Sequence, residues 1–329
     1  MSQNIERPKL TVERAGSGGN AVVFVHGILS CHDTFAKMRS SFLLDPAFTA
    51  WDVAYFDYDF WQAMPDSAEQ LTIALQETFG GRARELTLVC HSMGGLVSRL
   101  AVLGASPRLP FLKRLVMLGT PNFGAIRPAQ LNPLSQMVLR VTGTLWGVFT
   151  RKTGVIDLTH VHKQFAEFLD SANGTAKNAV GVEYVTLPGL YYNDERFAWD
   201  SSGNMASRSL ALLNLGADWL VLAFPSAAVH VDRPHDGIVE ATSVSLFTDT
   251  PGYWSEKYAS IHDPALREPP TCAHIEHRSH FRELTHLTLQ QDDLVTDIVK
   301  GILRHGSVRE WRNQLGDTRF DYVIRMPGE

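Results

Sequence analysis

The sequence predicts an α/β protein built on a doubly wound, mostly parallel sheet. Short β-branched apolar runs recur between Ala21 and Leu118, and stretches with helical spacing of apolar residues separate them. At one junction, Cys90-His91-Ser92-Met93-Gly94-Gly95, an apolar strand run turns straight into a helix run. Continuous apolar runs are expected of strands with helices on both faces, because such strands have no solvent side to reserve for polar residues.

The elements follow in order. A first strand is expected at Leu10 to Ala15, then a turn from Gly16 to Asn20, and a second strand at Ala21 to Val25 that feeds the loop His26-Gly27-Ile28-Leu29. A helix near Thr34 to Leu44, a strand at Trp51 to Phe56 and a helix from Ser67 to Phe79 come next. The strand Leu86 to Val89 and the helix Leu96 to Leu103 flank Ser92, and a further strand is expected at Leu115 to Leu118. Later strands are expected at Val182 to Leu187 and Cys272 to Ile275. Val295, Ile298, Val299 and Ile302 share one stripe of an amphipathic run from Asp293 to Arg304, read as the last helix.

Two stretches, Phe123 to Gly181 and Gly189 to Val231, exceed ordinary loop length and must carry structure of their own. Within the first, Leu131, Leu134, Val138, Val141, Leu145 and Val148 lie along one helical stripe. Gly143 and Gly147 weaken that helix by about 1 kcal/mol each relative to alanine. The run Leu210 to Val229 comes nearest to a membrane span, but Asp218, Asn214 and Pro225 interrupt it, and it reads as a buried helix ending before the proline. No transmembrane segment is expected.

A chain of 329 residues with 44% hydrophobic content can bury a large core, so residues 1–329 read as one domain with the two stretches as insertions. A net charge of −5 with scattered lysine and arginine leaves no electrostatic footprint for nucleic acid. The polar stretch Met1 to Arg7 lacks the apolar core of a signal peptide, which makes a cytoplasmic location the default expectation. Cys31, Cys90 and Cys272 are too few and too scattered for a disulfide framework.

The chemistry centres on Ser92. A small residue two positions before it and a glycine two positions after it suit a crowded strand-to-helix turn that holds a hydroxyl clear of both elements. Cys90 and Gly94 fill those places. His26-Gly27 at the end of an apolar strand, His91-Ser92-Met93-Gly94-Gly95, and Gly119-Thr120-Pro121-Asn122-Phe123-Gly124 together resemble the α/β-hydrolase superfamily, in its lipase and esterase branch. They resemble its oxyanion loop, its nucleophile elbow and its Gly-Thr-Pro-His-x-Gly segment, with Asn122 where the histidine usually stands.

The resemblance implies a triad in the chain order serine, acid, histidine. His235-Asp236-Gly237-Ile238-Val239 resembles the Asp-Gly-x-Val acid loop and nominates Asp236 over Asp232 and Asp263; an ordinary Asp-Gly turn is the bland alternative. Thr285-His286-Leu287 ahead of the amphipathic run nominates His286 over His280. Ile28 and Met93 would supply the oxyanion-hole N–H groups, with His26, Gly27, Cys90, His91 and Gly94 supporting loop and elbow. The insertions would form a helical cap or lid, and Leu29, Phe123, Leu134, Val138 and Leu145 would line a substrate pocket. The substrate class implied is a small-molecule or lipid ester, with no cofactor beyond water and a transient lipid-interface contact through the cap. An acyltransferase would use the same residues, and a hydrolase-fold binding protein without turnover would need none of them. No metal is expected: His274, His277 and His280 are spaced by three, and on a strand that spacing sends neighbours to opposite faces.

Overall fold

The computed structural model describes residues 8–28, 30–105, 109–122, 181–189, 236, 239, 241–246, 272–277, 284, 286, 288–315 and 322–326. Its strands are β1 (Lys9–Arg14), β2 (Asn20–Val25), β3 (Asp52–Asp57), β4 (Glu85–His91), β5 (Leu112–Leu118), β6 (Glu183–Leu187), β7 (Cys272–His277) and β8 (Tyr322–Arg325). They form one sheet in the order β1-β3-β2-β4-β5-β6-β7-β8. The interior pairs are parallel, whereas β1 pairs antiparallel with β3 and β8 antiparallel with β7 at the two edges.

The described α-helices are α1 (Ala36–Leu44), α2 (Met64–Phe79), α3 (Met93–Ala105), α4 (Ala241–Val244), α5 (Asp293–His305) and α6 (Val308–Leu315). Strand alternation sorts the core into two layers. Val23, Val25, Leu88 and Cys90 pack with Leu71 and Leu75 of α2 and Val97 of α3. Val22, Phe24, Val89 and Val116 face the other way, onto α1, α5 and α6. Each buried aliphatic side chain of this kind contributes roughly 1.5–3 kcal/mol relative to exposure, so both sheet faces must be covered for the fold to persist. This is the α/β-hydrolase arrangement, a doubly wound and mostly parallel sheet flanked by helices.

The register brings the carboxyl ends of the central strands level. Val25 pairs with Cys90, His91 with Leu118, and Leu118 with Leu187, so the loops after β2, β4, β5 and β6 emerge side by side. Ligand sites of open α/β sheets lie at this edge.

Several expectations are corrected. α3 begins at Met93 rather than Leu96, because two glycines that look like a turn in sequence are packed into the first helical turn. The run from Asp293 is not the last helix: α6 and β8 follow it. α6 is mostly polar and buries chiefly Val308 and Trp311, and β8 is a short edge strand, so neither shows a sustained apolar pattern. The helix expected from Thr34 begins with a 3₁₀ turn over His32–Phe35. The two insertions, apart from their ends, and the helix stripe from Leu131 to Val148 lie outside the described residues. Among the described residues, no helix is long and apolar enough to cross a membrane.

Candidate active site

β4 ends at His91 and α3 begins at Met93, which leaves Ser92 alone on the turn between them. Its φ is 52°, and among the described residues it alone has a positive φ without being glycine. That conformation costs on the order of 1–3 kcal/mol and persists only where the surroundings over-determine it. Here the Ser92 N–H donates to the Leu118 carbonyl at 3.0 Å, and the Ser92 carbonyl accepts from the Gly95 N–H at 3.0 Å. A side chain at Gly94 would strike the carbonyl oxygen of His26, so only glycine lets the elbow close on the loop after β2. The Cys90 thiol donates to Ser98 Oγ at 3.0 Å, and burial pushes its pKa up to about 12. Cys90 therefore stays a protonated packing group at neutral pH.

Ser92 Oγ lies 2.8 Å from His286 Nε2, and His286 Nδ1 lies 2.7 Å from Asp236 Oδ2. The other carboxylate oxygen of Asp236 accepts from the Val239 N–H at 2.7 Å. Main-chain bonds tie the same pieces together: His286 N–H donates to the Asp236 carbonyl at 2.8 Å, and Asp236 N–H to the Val239 carbonyl at 3.1 Å. All three side chains are buried, so the contacts are shielded from water. With a carboxylate accepting from Nδ1–H, the imidazole lone pair on Nε2 faces the serine hydroxyl.

The neighbouring histidines do other work. His91 Nε2 donates to the His286 carbonyl at 2.8 Å, and burial, followed by the nearby His286, holds the His91 pKa well below 6.5. His91 is thus a neutral donor that fixes the His286 main chain. His26 is buried under Tyr58, with ring centroids 4.4 Å apart. Its Nδ1 donates to the Gly27 carbonyl at 2.8 Å and its Nε2 accepts from the Tyr58 N–H at 3.2 Å, while Tyr58 Oη donates to the His26 carbonyl at 3.0 Å. Burial lowers the His26 pKa as well. A Cβ on Gly27 would come within 2.9 Å of Ser92 Cβ, which places this loop, and the half-buried Ile28 after it, directly against the elbow. Met93 is buried immediately after Ser92.

Sequence reasoning missed part of the support. Gly119 has φ +57°, and a Cβ there would sit 3.1 Å from Asp236 Oδ2 and 3.2 Å from His286 Nδ1. A glycine closing an apolar strand run was the available signal. Asn122 is buried, accepts from Arg99 Nη1 at 2.9 Å and donates to the Val244 carbonyl at 2.6 Å, linking α3 to the segment that follows Asp236. Burial pushes the Arg99 pKa down to about 10, so the guanidinium remains charged at neutral pH. Nothing in the linear pattern announces this link.

Asp232, Asp263 and His280, together with Leu29, Phe123, Leu134, Val138 and Leu145, lie outside the described residues. His274 sits in β7 with Nδ1 2.7 Å from Thr186 Oγ1 and Nε2 3.2 Å from Glu276 Oε1. Among the described residues, no group of histidine, cysteine and acidic side chains could hold a metal ion.

Among solved structures, the chain is similar to the lipase BlEst2 of Bacillus licheniformis in its mature form, with 17% identity over 92% of this chain and 99% of that chain and a TM-score of 0.51. It is also similar to the product of gene lin2722 from Listeria innocua, at 16% identity over 86% of this chain and 93% of that one, with a TM-score of 0.47. The first likeness supports the same fold. No curated protein matches the sequence. The family model for the domain of unknown function DUF7379 matches residues 2–191, which span β1 to β6 and contain Ser92, and the chain belongs to that family.

Proposed function

We propose that the protein is a serine hydrolase that cleaves carboxylic esters through an acyl-enzyme on Ser92. The observation that carries this reading is the unbroken hydrogen-bonded chain from Ser92 Oγ through His286 to Asp236, on a strained turn at the carboxyl edge of the sheet. A serine hydroxyl is a weak nucleophile at neutral pH and needs a base within hydrogen-bond reach. His286 takes its proton as Ser92 Oγ attacks the acyl carbon, and Asp236 holds the imidazole and stabilises the imidazolium. The N–H groups of Met93 and Ile28 receive the oxyanion; one such donor is typically worth about 2.7–4 kcal/mol in the transition state. The intermediate collapses as His286 returns the proton to the leaving alcohol, and water, activated by the same histidine, releases the acid. The substrate class in this reading is a small-molecule or lipid ester, and the two half-reactions need no cofactor beyond water.

The test is turnover of p-nitrophenyl esters of increasing chain length. Wild type should hydrolyse them, and Ser92→Ala should fold normally and lose on the order of 10⁶-fold in kcat, the loss typical when such a nucleophile is removed. A fluorophosphonate should label wild type on Ser92 alone. Labelling of a different serine would overturn the assignment.

A further inference from the structure

The loop that carries Ile28 is held at both ends by the end of β3 and the residue after it. At its start, Tyr58 stacks on His26 and makes two hydrogen bonds to it. At its far end, the Asp57 carboxylate accepts twice from one residue: from the His32 main-chain N–H to Oδ1 at 2.8 Å and from His32 Nδ1 to Oδ2 at 2.7 Å. The His32 ring lies on Tyr55, with centroids 4.4 Å apart and planes 16° from parallel, which fixes the direction of Nδ1. Asp57 Oδ1 also lies 3.7 Å from His26 Nε2, and Asp33 Oδ1 lies 3.4 Å from His32 Nε2. Between these anchors Gly27 presses on Ser92.

The carboxylate and imidazole are only partly shielded, at 16% and 30% side-chain exposure, and a pair of that kind adds little to global stability. Its two-point geometry does restrict where the loop can sit. Oxyanion donors act only at the correct distance from the developing charge, so a small drift of the loop is felt in the transition state and hardly in substrate binding. We propose that Asp57 and His32 form a clamp that positions the oxyanion loop, and that both are positioning residues for the ester-cleaving reaction. The inference rests on the functional reading above.

The experiment compares wild type, His32→Ala, His32→Asn and Asp57→Ala in full-length protein. It reads kcat and KM on one p-nitrophenyl ester, the inhibition constant of a trifluoromethyl ketone that forms a tetrahedral adduct, and the melting temperature. His32→Ala and Asp57→Ala should lose about 10–100-fold in kcat, short of the full loss of a donor, with KM changed less than about twofold. Affinity for the ketone should fall in proportion to kcat/KM. His32→Asn should recover most of the loss, because its Nδ2 occupies the position of the imidazole Nδ1 on the same γ carbon. Should Asp57→Ala fail to fold, the His32 pair still decides, since it leaves Asp57 and the main-chain bond in place. Wild-type kcat in His32→Ala, a lost kcat with unchanged ketone affinity, or no recovery in His32→Asn would each overturn the clamp alone. Wild type that cleaves no ester would overturn the functional reading and the clamp with it.

Discussion

At Asp236 the two carboxylate oxygens have separate partners, His286 Nδ1 and the Val239 N–H. An amide keeps both contacts only by donating from its nitrogen to Nδ1, which forces the histidine proton onto Nε2 and removes the lone pair facing Ser92. Asp236→Asn should therefore lose up to about 10⁴-fold in kcat with little change in melting temperature. Members of one triad act as a unit, so Ser92→Ala combined with His286→Ala should cost little more than Ser92→Ala alone. Strictly additive losses would place His286 outside the machinery. Gly119 offers a different kind of test, because its φ of +57° and its closeness to the Asp236–His286 pair act together. Gly119→Ala should cost about 1–2 kcal/mol through the backbone and also lower turnover, as its Cβ pushes on the carboxylate and the ring. Thermal melting and kcat, measured on the same sample, separate the two effects.

Among the elements, the β4–α3 junction and the start of α5 decide how the site is held. Cys90 fills a buried place between β4 and α3. Cys90→Gly should retain activity, whereas Cys90→Leu should overpack the elbow by about 1–3 kcal/mol and lower both melting temperature and turnover. A Cys90→Leu protein as stable and active as wild type would show that the turn tolerates bulk. α5 begins just after the His286 segment, with Asp292 capping it by accepting from the N–H groups of Leu294 at 2.8 Å and Val295 at 3.3 Å. Asp292→Ala should cost about 1 kcal/mol in urea denaturation.

Across the whole molecule, acid sensitivity follows from two histidines buried in the neutral form. His26 and His91 both have pKa values lowered from 6.5, chiefly by burial. The unfolded chain takes up these protons near 6.5 while the folded chain resists them, so below that pH the unfolded state binds more protons and folding stability falls as pH drops. Above that pH both states leave the rings neutral and the two residues contribute no slope. The expected slope is up to about 1.4 kcal/mol per pH unit for each histidine. Urea denaturation at about pH 7.5 and about pH 5.5 measures it, and His91→Asn should remove part of the acid loss. Equal pH dependence in the variant and wild type would contradict a neutral, buried His91.

The apolar runs of β2 to β6 and the elbow around Ser92 were legible in the chain because each is set by local pattern: continuous hydrophobicity where both sheet faces are covered, and a small-x-Ser-x-Gly turn where a strand meets a helix. Asp236 and His286 could be nominated from their surroundings in the sequence, but no local rule brings residues so far apart in the chain to within hydrogen-bond distance of each other. That depends on the register aligning the carboxyl ends of β4, β5 and β6, and on Gly119 leaving room above β5. The antiparallel edge strand β8, the Arg99–Asn122–Val244 link and the hydrogen bonds from β3 to the loop after β2 were likewise decided by tertiary structure. Their sequences are short or polar, and what stabilises them is a partner that only the folded sheet places beside them.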